Sequence, residues 1–330
     1  SMTSFAATGW AEENGTWVYY DKDGYQVENE WKKSGNNWFW LNEDGEMATE
    51  ALVEDGDDYY YVDANGVMVA NRWVSIVNEE DEDDTQENYW YYFQANGKAL
   101  TNGNNSNIAL KTVNGKKYAF DSEGKMLYGW VNADNAERLD DANGDAFKEG
   151  DYFFGGSDDG ALTVGWLQKD ITYDEALSDE VVAPVFNEDA DQTRWFYFQA
   201  NGKKVKGDDK SQKEKTINGK KYAFDQNGAM VAEWSMDETK VATADMPATP
   251  GKASTAKYSQ AWRYFNSVED GARVSKGWFK VVSAELLNEE KYNDDEDAWY
   301  YADGSGHLYA GEFKTIKGKK YAFRNDGRMI

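Results

Sequence analysis

The stretch Gly9-Trp10-Ala11-Glu12-Glu13-Asn14-Gly15-Thr16-Trp17-Val18-Tyr19-Tyr20-Asp21-Lys22-Asp23-Gly24 decides the fold, because its spacing returns along the chain. Trp10 is followed at a 21-residue step by Trp31, Leu52 and Trp73, Trp17 by Trp38 and Tyr59, and Gly24 by Gly45 and Gly66. A short period with aromatics in phase describes copies of one small unit, not a single-core globule. The unit reads as a leading Trp, a polar turn, an aromatic strand, a turn ending in Gly and a short apolar tail. So small a unit cannot bury its own aromatic face, and stacking on its neighbours has to do so.

Beyond Gly66 the step becomes irregular, but each aromatic strand begins seven residues before a turn glycine. This rule places turns at Gly24, Gly45, Gly66, Gly97, Gly124, Gly160, Gly202, Gly228, Gly271, Gly306 and Gly327, hence eleven hairpins. Asp and Asn open these turns and Gly takes the positive-φ position, as in a type I turn with a bulge. A second turn lies upstream, at Asn14-Gly15, Ser34-Gly35 and Asn218-Gly219. The predicted fold is all-β: a β-solenoid of about eleven stacked hairpins with loop insertions, continuous over 10–330 and forming a long body. Residues 1–9 read as a leader or tag remnant, and Ser1-Met2 as a scar left where a leader or further domain was trimmed.

Larger repeats of about 100 residues overlie the small ones. Tyr89–Lys98 returns at Trp195–Lys203, and Asn114-Gly115-Lys116-Lys117-Tyr118-Ala119-Phe120 returns at Asn218–Phe224 and at 317–323. Insertions at 75–88, 132–150, 168–193, 235–261 and 283–297 occupy one place in the unit and are expected to project from one side. Tyr173–Glu180 and Ser283–Lys291 are predicted to hold a helical turn, and Ala242–Thr255 to be irregular.

Aromatics are 15% of a chain whose mean hydropathy is -0.85, as alternating strands on a polar background require. No run reaches the roughly 18 apolar residues of a membrane helix. Cysteine is absent, which fits an exported protein without disulfides. The net charge of -26 disfavours nucleic acid and anionic membranes and favours cations, small quaternary amines included.

Catalytic chemistry finds little support. His307 is the lone histidine, read as a solvated turn residue, and with no Cys no nucleophilic triad can be assembled. Carboxylates are plentiful, but none stands out as a glycosidase-like pair. Asp141-Ala142-Asn143-Gly144-Asp145 lacks the glycine and distal Glu of an EF-hand loop. It and the acidic run at 78–88 read as solvated loops, so neither metal nor cofactor is expected. The fourteen tryptophans carry more weight. Many must be core, since each buries on the order of 200 Å². Trp and Tyr at fixed, separated positions also suit partly exposed walls that hold a quaternary ammonium by cation–π attraction, or a sugar ring by stacking.

Gly9-Trp10, Gly15-Thr16-Trp17-Val18-Tyr19-Tyr20-Asp21 and Gly24 resemble the choline-binding, or cell-wall-binding, repeat of Gram-positive surface proteins. The resemblance runs over 10–330 apart from the insertions. It implies a β-solenoid in which choline of teichoic acid sits between hairpins in a cage of three aromatics. Related repeats in glucan-binding proteins imply α-glucan as the alternative, and the Lys-Lys-Tyr-Ala-Phe units resemble carbohydrate-binding repeats of clostridial toxins. Carried over position by position, a cage takes the leading Trp, the first strand aromatic and the third aromatic of the next strand. This gives Trp10, Trp17 and Trp40; Trp31, Trp38 and Tyr61; Trp130, Phe153 and Tyr197; and Trp234, Tyr264 and Tyr301. After Trp73/Trp90, Trp166/Trp195 and Trp278/Trp299 the third position holds Ala119, Ala223 and Ala322, so those interfaces are expected to lack a wall. Phe120, Phe224 and Phe323 are expected to be packing residues. The resemblance thus implies a noncatalytic module of a secreted protein at a Gram-positive cell wall, binding choline-bearing teichoic acid or a glycan. A structural stalk or adhesin with protein-binding insertions is the third reading. Teichoic acid phosphates and a charge of -26 repel, a tension within the first reading.

Overall fold

The computed structural model describes residues 8–79, 86–172, 181–186, 191–252, 255–294 and 296–330. Eleven small antiparallel sheets are present among them. The first four hairpins join Gly9–Glu13 to Thr16–Tyr20, Glu30–Ser34 to Asn37–Leu41, Ala51–Asp55 to Asp58–Val62, and Arg72–Val77 to Asn88–Phe93. The fifth joins Lys111–Val113 to Lys116–Tyr118, and the sixth is three-stranded: Gly129–Val131, Tyr152–Gly156 and Asp159–Leu162. The seventh to ninth pair Gly165–Thr172 with Asp191–Phe198, Lys213–Ile217 with Lys220–Phe224, and Glu233–Met236 with Trp262–Phe265. The last two pair Gly277–Val281 with Ala298–Ala302 and Glu312–Ile316 with Lys319–Phe323. The chain divides into two compact units, Ser1–Arg138 with Phe153–Leu162, and Leu139–Tyr152 with Thr163–Ile330.

Two turns build each hairpin that no insertion interrupts. Asn14 and Gly15 both take positive φ, 52° and 81°, the conformation of a two-residue type I′ turn whose twist matches the strands it joins. After the second strand, Asp21 Oδ1 accepts the backbone N–H groups of Asp23 and Tyr25, both at 2.9 Å. The Gly24 N–H bonds back to the Asp21 carbonyl at 3.0 Å. The side chain thereby supplies acceptors that the turning backbone lacks. The tail that follows makes a single bridge to its strand, Tyr20 to Gln26 in the first unit. Gly160 departs from the expected pattern. It lies inside the strand Asp159–Leu162, because the sixth hairpin gains a third strand there.

Successive hairpins lock together through the tail. The Met47 N–H bonds the Trp17 carbonyl, Met68 that of Trp38, Ala99 that of Tyr59, and Met126 that of Trp90, at 2.7–2.8 Å. In the second unit Met230 bonds Trp195, Leu308 bonds Trp262 and Met329 bonds Trp299, at 2.8–3.1 Å. Core residues fill the opposite strand face: Phe93, Phe120, Phe198, Phe224, Phe265 and Phe323 are buried.

The insertions do not all project. Residues 168–172 continue the seventh hairpin's first strand, with Thr172 opposite Asp191. The described part of the stretch, 235–252 and 255–261, forms two short 3₁₀ turns and a helix Ala256–Gln260, capped by the Thr255 hydroxyl accepting from the Tyr258 N–H at 3.1 Å. Ser283–Lys291 holds one helical hydrogen bond, Asn288 N–H to the Ala284 carbonyl, and no helix grows from it. Tyr173–Glu180 and residues 80–85 of the acidic run lie outside the described residues.

Candidate aromatic grooves

Strand alternation assigns the walls. Within a hairpin the leading Trp stands opposite the third strand residue: Trp10 opposite Tyr19, Trp31 opposite Trp40, Trp278 opposite Tyr301. First and third residues share that face, while the second and fourth point the other way. The side chain reaching back from the next hairpin is therefore its second residue. Trp10 meets Phe39 at 5.5 Å between ring centroids, Trp31 meets Tyr60 at 5.1 Å, and Trp73 meets Tyr118 at 4.8 Å. In the second unit Trp166 meets Tyr222 at 4.9 Å, and Trp278 meets Tyr321 at 4.8 Å.

The expected third walls are accordingly displaced by one residue. Trp40 is buried against Trp31, Val53 and Val62, and Tyr61 packs on Phe93 at 6.1 Å. Trp130 and Phe153 come together at 5.1 Å, whereas Tyr197 faces Trp166 of its own hairpin. A slip of one residue moves every side chain to the other face. The same slip overturns the expectation that Ala119, Ala223 and Ala322 leave three interfaces without a wall. Tyr118, Tyr222 and Tyr321 provide it from the preceding position.

Three grooves follow from this register. Trp10, Trp17, Ser34, Phe39, Met47 and Asn65 line one of about 290 Å³. Trp73, Trp90, Tyr118, Met126 and, where the last turn of the sixth sheet enters its final strand, Asp158, Asp159 and Gly160 line one of about 220 Å³. In the second unit Trp166, Trp195, Tyr222, Met230, Glu269 and Asp270 line one of about 380 Å³. Each takes two aromatics from one hairpin, an aromatic and a methionine from the next, and a turn from the one after. Trp17, Trp38 and Trp299, all at the first strand position, remain 43%, 40% and 43% exposed. Burial is the largest cause raising the Tyr60 hydroxyl pKa, opposed by the Lys98 charge and aided by those of Asp58 and Asp55.

The methionines were an unread signal. Met47, Met68, Met126, Met230 and Met329 each stand two residues past a turn glycine, five of the eight in the chain. Each of four also rests beneath the next unit's glycine or its equivalent: a Cβ on Gly66, Gly97, Gly160 or Gly271 would fall 2.4–3.0 Å from the methionine side chain.

Of the fourth expected group, Trp234 and Tyr264 come together at 5.3 Å, and Tyr301 lies elsewhere. Trp234 packs on Tyr300, not Tyr301, at 4.8 Å, and its indole N–H donates to the Val282 carbonyl at 2.8 Å. Tyr301 stacks on Tyr309 at 5.1 Å. Around Trp234 the insertions supply Met236, Tyr258, Ala284 and Leu287, which close the interface into a core. Burial pushes the Tyr264 pKa up to about 12. His307 is likewise no solvated turn residue: its Nε2 lies 3.1 Å from Asp237 Oδ2, with both side chains largely covered. Among the described residues no group of three or more His, Cys, Asp or Glu is placed to hold a metal. Nor is any helix long and apolar enough to cross a membrane.

Residues 7–50 and 27–73 match the choline-binding repeat family, and residues 85–99 match a cell wall binding repeat. These matches lie within residues 7–99. Glucosyltransferase-S of Streptococcus mutans is 22% identical over 324 residues, which are 98% of this chain and 15% of that protein. The modular autolysin LytC from Streptococcus pneumoniae aligns at a TM-score of 0.45 and 18% identity, over 98% of this chain and 52% of LytC. CbpJ from the same species aligns at a TM-score of 0.32 and 19% identity, over 97% and 99%. The chain thus spans 15% of the matched glucosyltransferase and about half of LytC.

Proposed function

We propose that this chain is a noncatalytic attachment module, a β-solenoid of stacked hairpins whose aromatic grooves take the trimethylammonium group of choline on teichoic acid at a Gram-positive cell surface. The observation that carries the reading is recurrence: two tryptophans, a Tyr or Phe and a methionine come together in the same relation at separate interfaces. A quaternary amine cannot be hydrogen-bonded, so it is best held by π-faces and polarisable sulfur, each aromatic contributing about 0.5–2 kcal/mol. Three walls with modest desolvation give affinity on the order of millimolar. The grooves are shallow and open, which suits a ligand presented many times along a polymer, where avidity compounds weak sites.

A second reading, α-glucan binding, is favoured by the match to glucosyltransferase-S over nearly the whole chain. Flat, exposed indoles such as Trp17 and Trp38 serve a sugar ring as well as an ammonium. Calorimetric titration of the full chain with choline and with an oligoglucan separates the two. The choline reading expects saturation by choline in the millimolar range. A heat of binding from the oligoglucan alone gives the module to glycans.

A further inference from the structure

The turn that reaches each groove from two hairpins downstream differs in charge. At Trp10 and Trp17 it presents Asn65; at Trp73 and Trp90 it presents Asp158 and Asp159; at Trp166 and Trp195 it presents Glu269 and Asp270. The paired tryptophans and the methionine recur in all three, and apart from Phe39 and Ser34 in the first groove the main chemical difference is charge. Three of these carboxylates are held in place. Asp158 Oδ1 accepts the Trp90 indole N–H at 3.1 Å, which fixes the acid beside the aromatic wall and polarises the ring toward a more negative face. Asp270 Oδ1 accepts the Ala272 N–H at 3.0 Å, and Asp159 Oδ1 the Ala161 N–H at 3.4 Å.

We propose that the downstream turn sets ligand preference groove by groove. Asp158/Asp159 and Glu269/Asp270 make their grooves select a quaternary ammonium over a neutral group of the same shape, while the groove at Asn65 discriminates little. This rests on the aromatic-groove reading above and adds which grooves prefer a cation. An exposed carboxylate a few ångströms from a bound cation gives about a fivefold gain in affinity in water, and salt weakens it.

The indole N–H resonances of Trp17, Trp90 and Trp195, assigned by Trp→Phe substitution in the full chain, report the three grooves separately. Titrants are choline and its uncharged isostere, 3,3-dimethylbutan-1-ol. Choline is expected to half-saturate Trp90 and Trp195 at about fivefold lower concentration than Trp17, with no such order for the alcohol. Asp158→Asn with Asp159→Asn keeps an acceptor for the Trp90 indole and removes only charge. It should erase the preference at Trp90 and leave Trp195 unchanged. Asn65→Asp should bring Trp17 the same gain. Equal half-saturation at all three grooves, or indifference of Trp90 to the double substitution, overturns the proposal alone. If choline moves no indole, the aromatic-groove reading falls and takes the proposal with it.

Discussion

The groove of Trp73, Trp90 and Tyr118 and the interface of Trp234, Trp262 and Tyr300 use the same three positions of the repeat. In the first, the tail residue is Met126, no described insertion residue of 75–88 lines the interface, and a cavity of about 220 Å³ remains. In the second, the tail residue is Leu308, and Tyr258 and Leu287 from two insertions pack onto Trp262, which is fully buried. An aromatic triplet is therefore a neutral frame. What enters it from outside the hairpin determines whether it is a binding face or a core.

The largest expected effect sharpens that contrast. Trp262→Ala empties a sealed core and should cost about 3–5 kcal/mol, whereas Trp38→Ala, at the equivalent strand position but half exposed, should cost well under half as much. Urea unfolding of both variants checks this, and equal losses would mean that the two interfaces are not different in kind. Next is Gly271→Ala. Gly271 has φ +71° and its Cβ would lie 2.4 Å from the Met230 sulfur. Backbone strain of about 1–3 kcal/mol is expected, and Met230 is pushed into the groove at Trp166. Ligand response of Trp195 should weaken while that of Trp17 stays as it was. An unaltered Trp195 titration would separate the methionine from the groove.

The smallest effect concerns the contact between His307 and Asp237. For Asp237, burial by itself favours the neutral acid, but hydrogen bonds from His307 and Thr239 outweigh it and hold the carboxyl well below its ordinary value of 3.8. The native state therefore binds fewer protons than the unfolded chain at acid pH. Its stabilisation is complete above that ordinary value and is lost as pH falls through the lower, folded-state value. Asp237→Asn should cost about 0.5–1.5 kcal/mol near neutral pH and progressively less in strong acid, read from unfolding at several pH values. A cost independent of pH would assign it to packing.

Much of this was legible from glycine and aromatic spacing alone. The hairpins, the two turns of the uninterrupted ones, and the burial of Phe120, Phe224 and Phe323 follow from local turn chemistry and period, which need no knowledge of neighbours. Wall assignment was not legible at the same level. The spacing of Trp31, Trp38, Phe39 and Trp40 fixes which residues share a face, but not which face meets the preceding hairpin. Choosing Trp40 over Phe39 was a parity choice, and the same choice hid Tyr118 behind Ala119. The insertions were illegible for another reason. Tyr258 and Leu287 lie in segments without periodicity, and their burial, like that of His307 on a periodic turn, depends on contacts with Trp262 and Asp237 from far along the chain.

The tail hydrogen bond has a consequence for inheritance. Because the Met126 N–H is spent on the Trp90 carbonyl, and Asp158 arrives from one hairpin further on, no single hairpin carries a groove. Copying one unit transmits only a fragment, and copying two still omits the turn. Three is the shortest length that passes on a groove whole. The Tyr89–Lys98 stretch and its echo at Trp195–Lys203 are three hairpins apart, and each opens a complete groove of its own. The heritable unit of this molecule is the triplet, although the unit of folding is the hairpin.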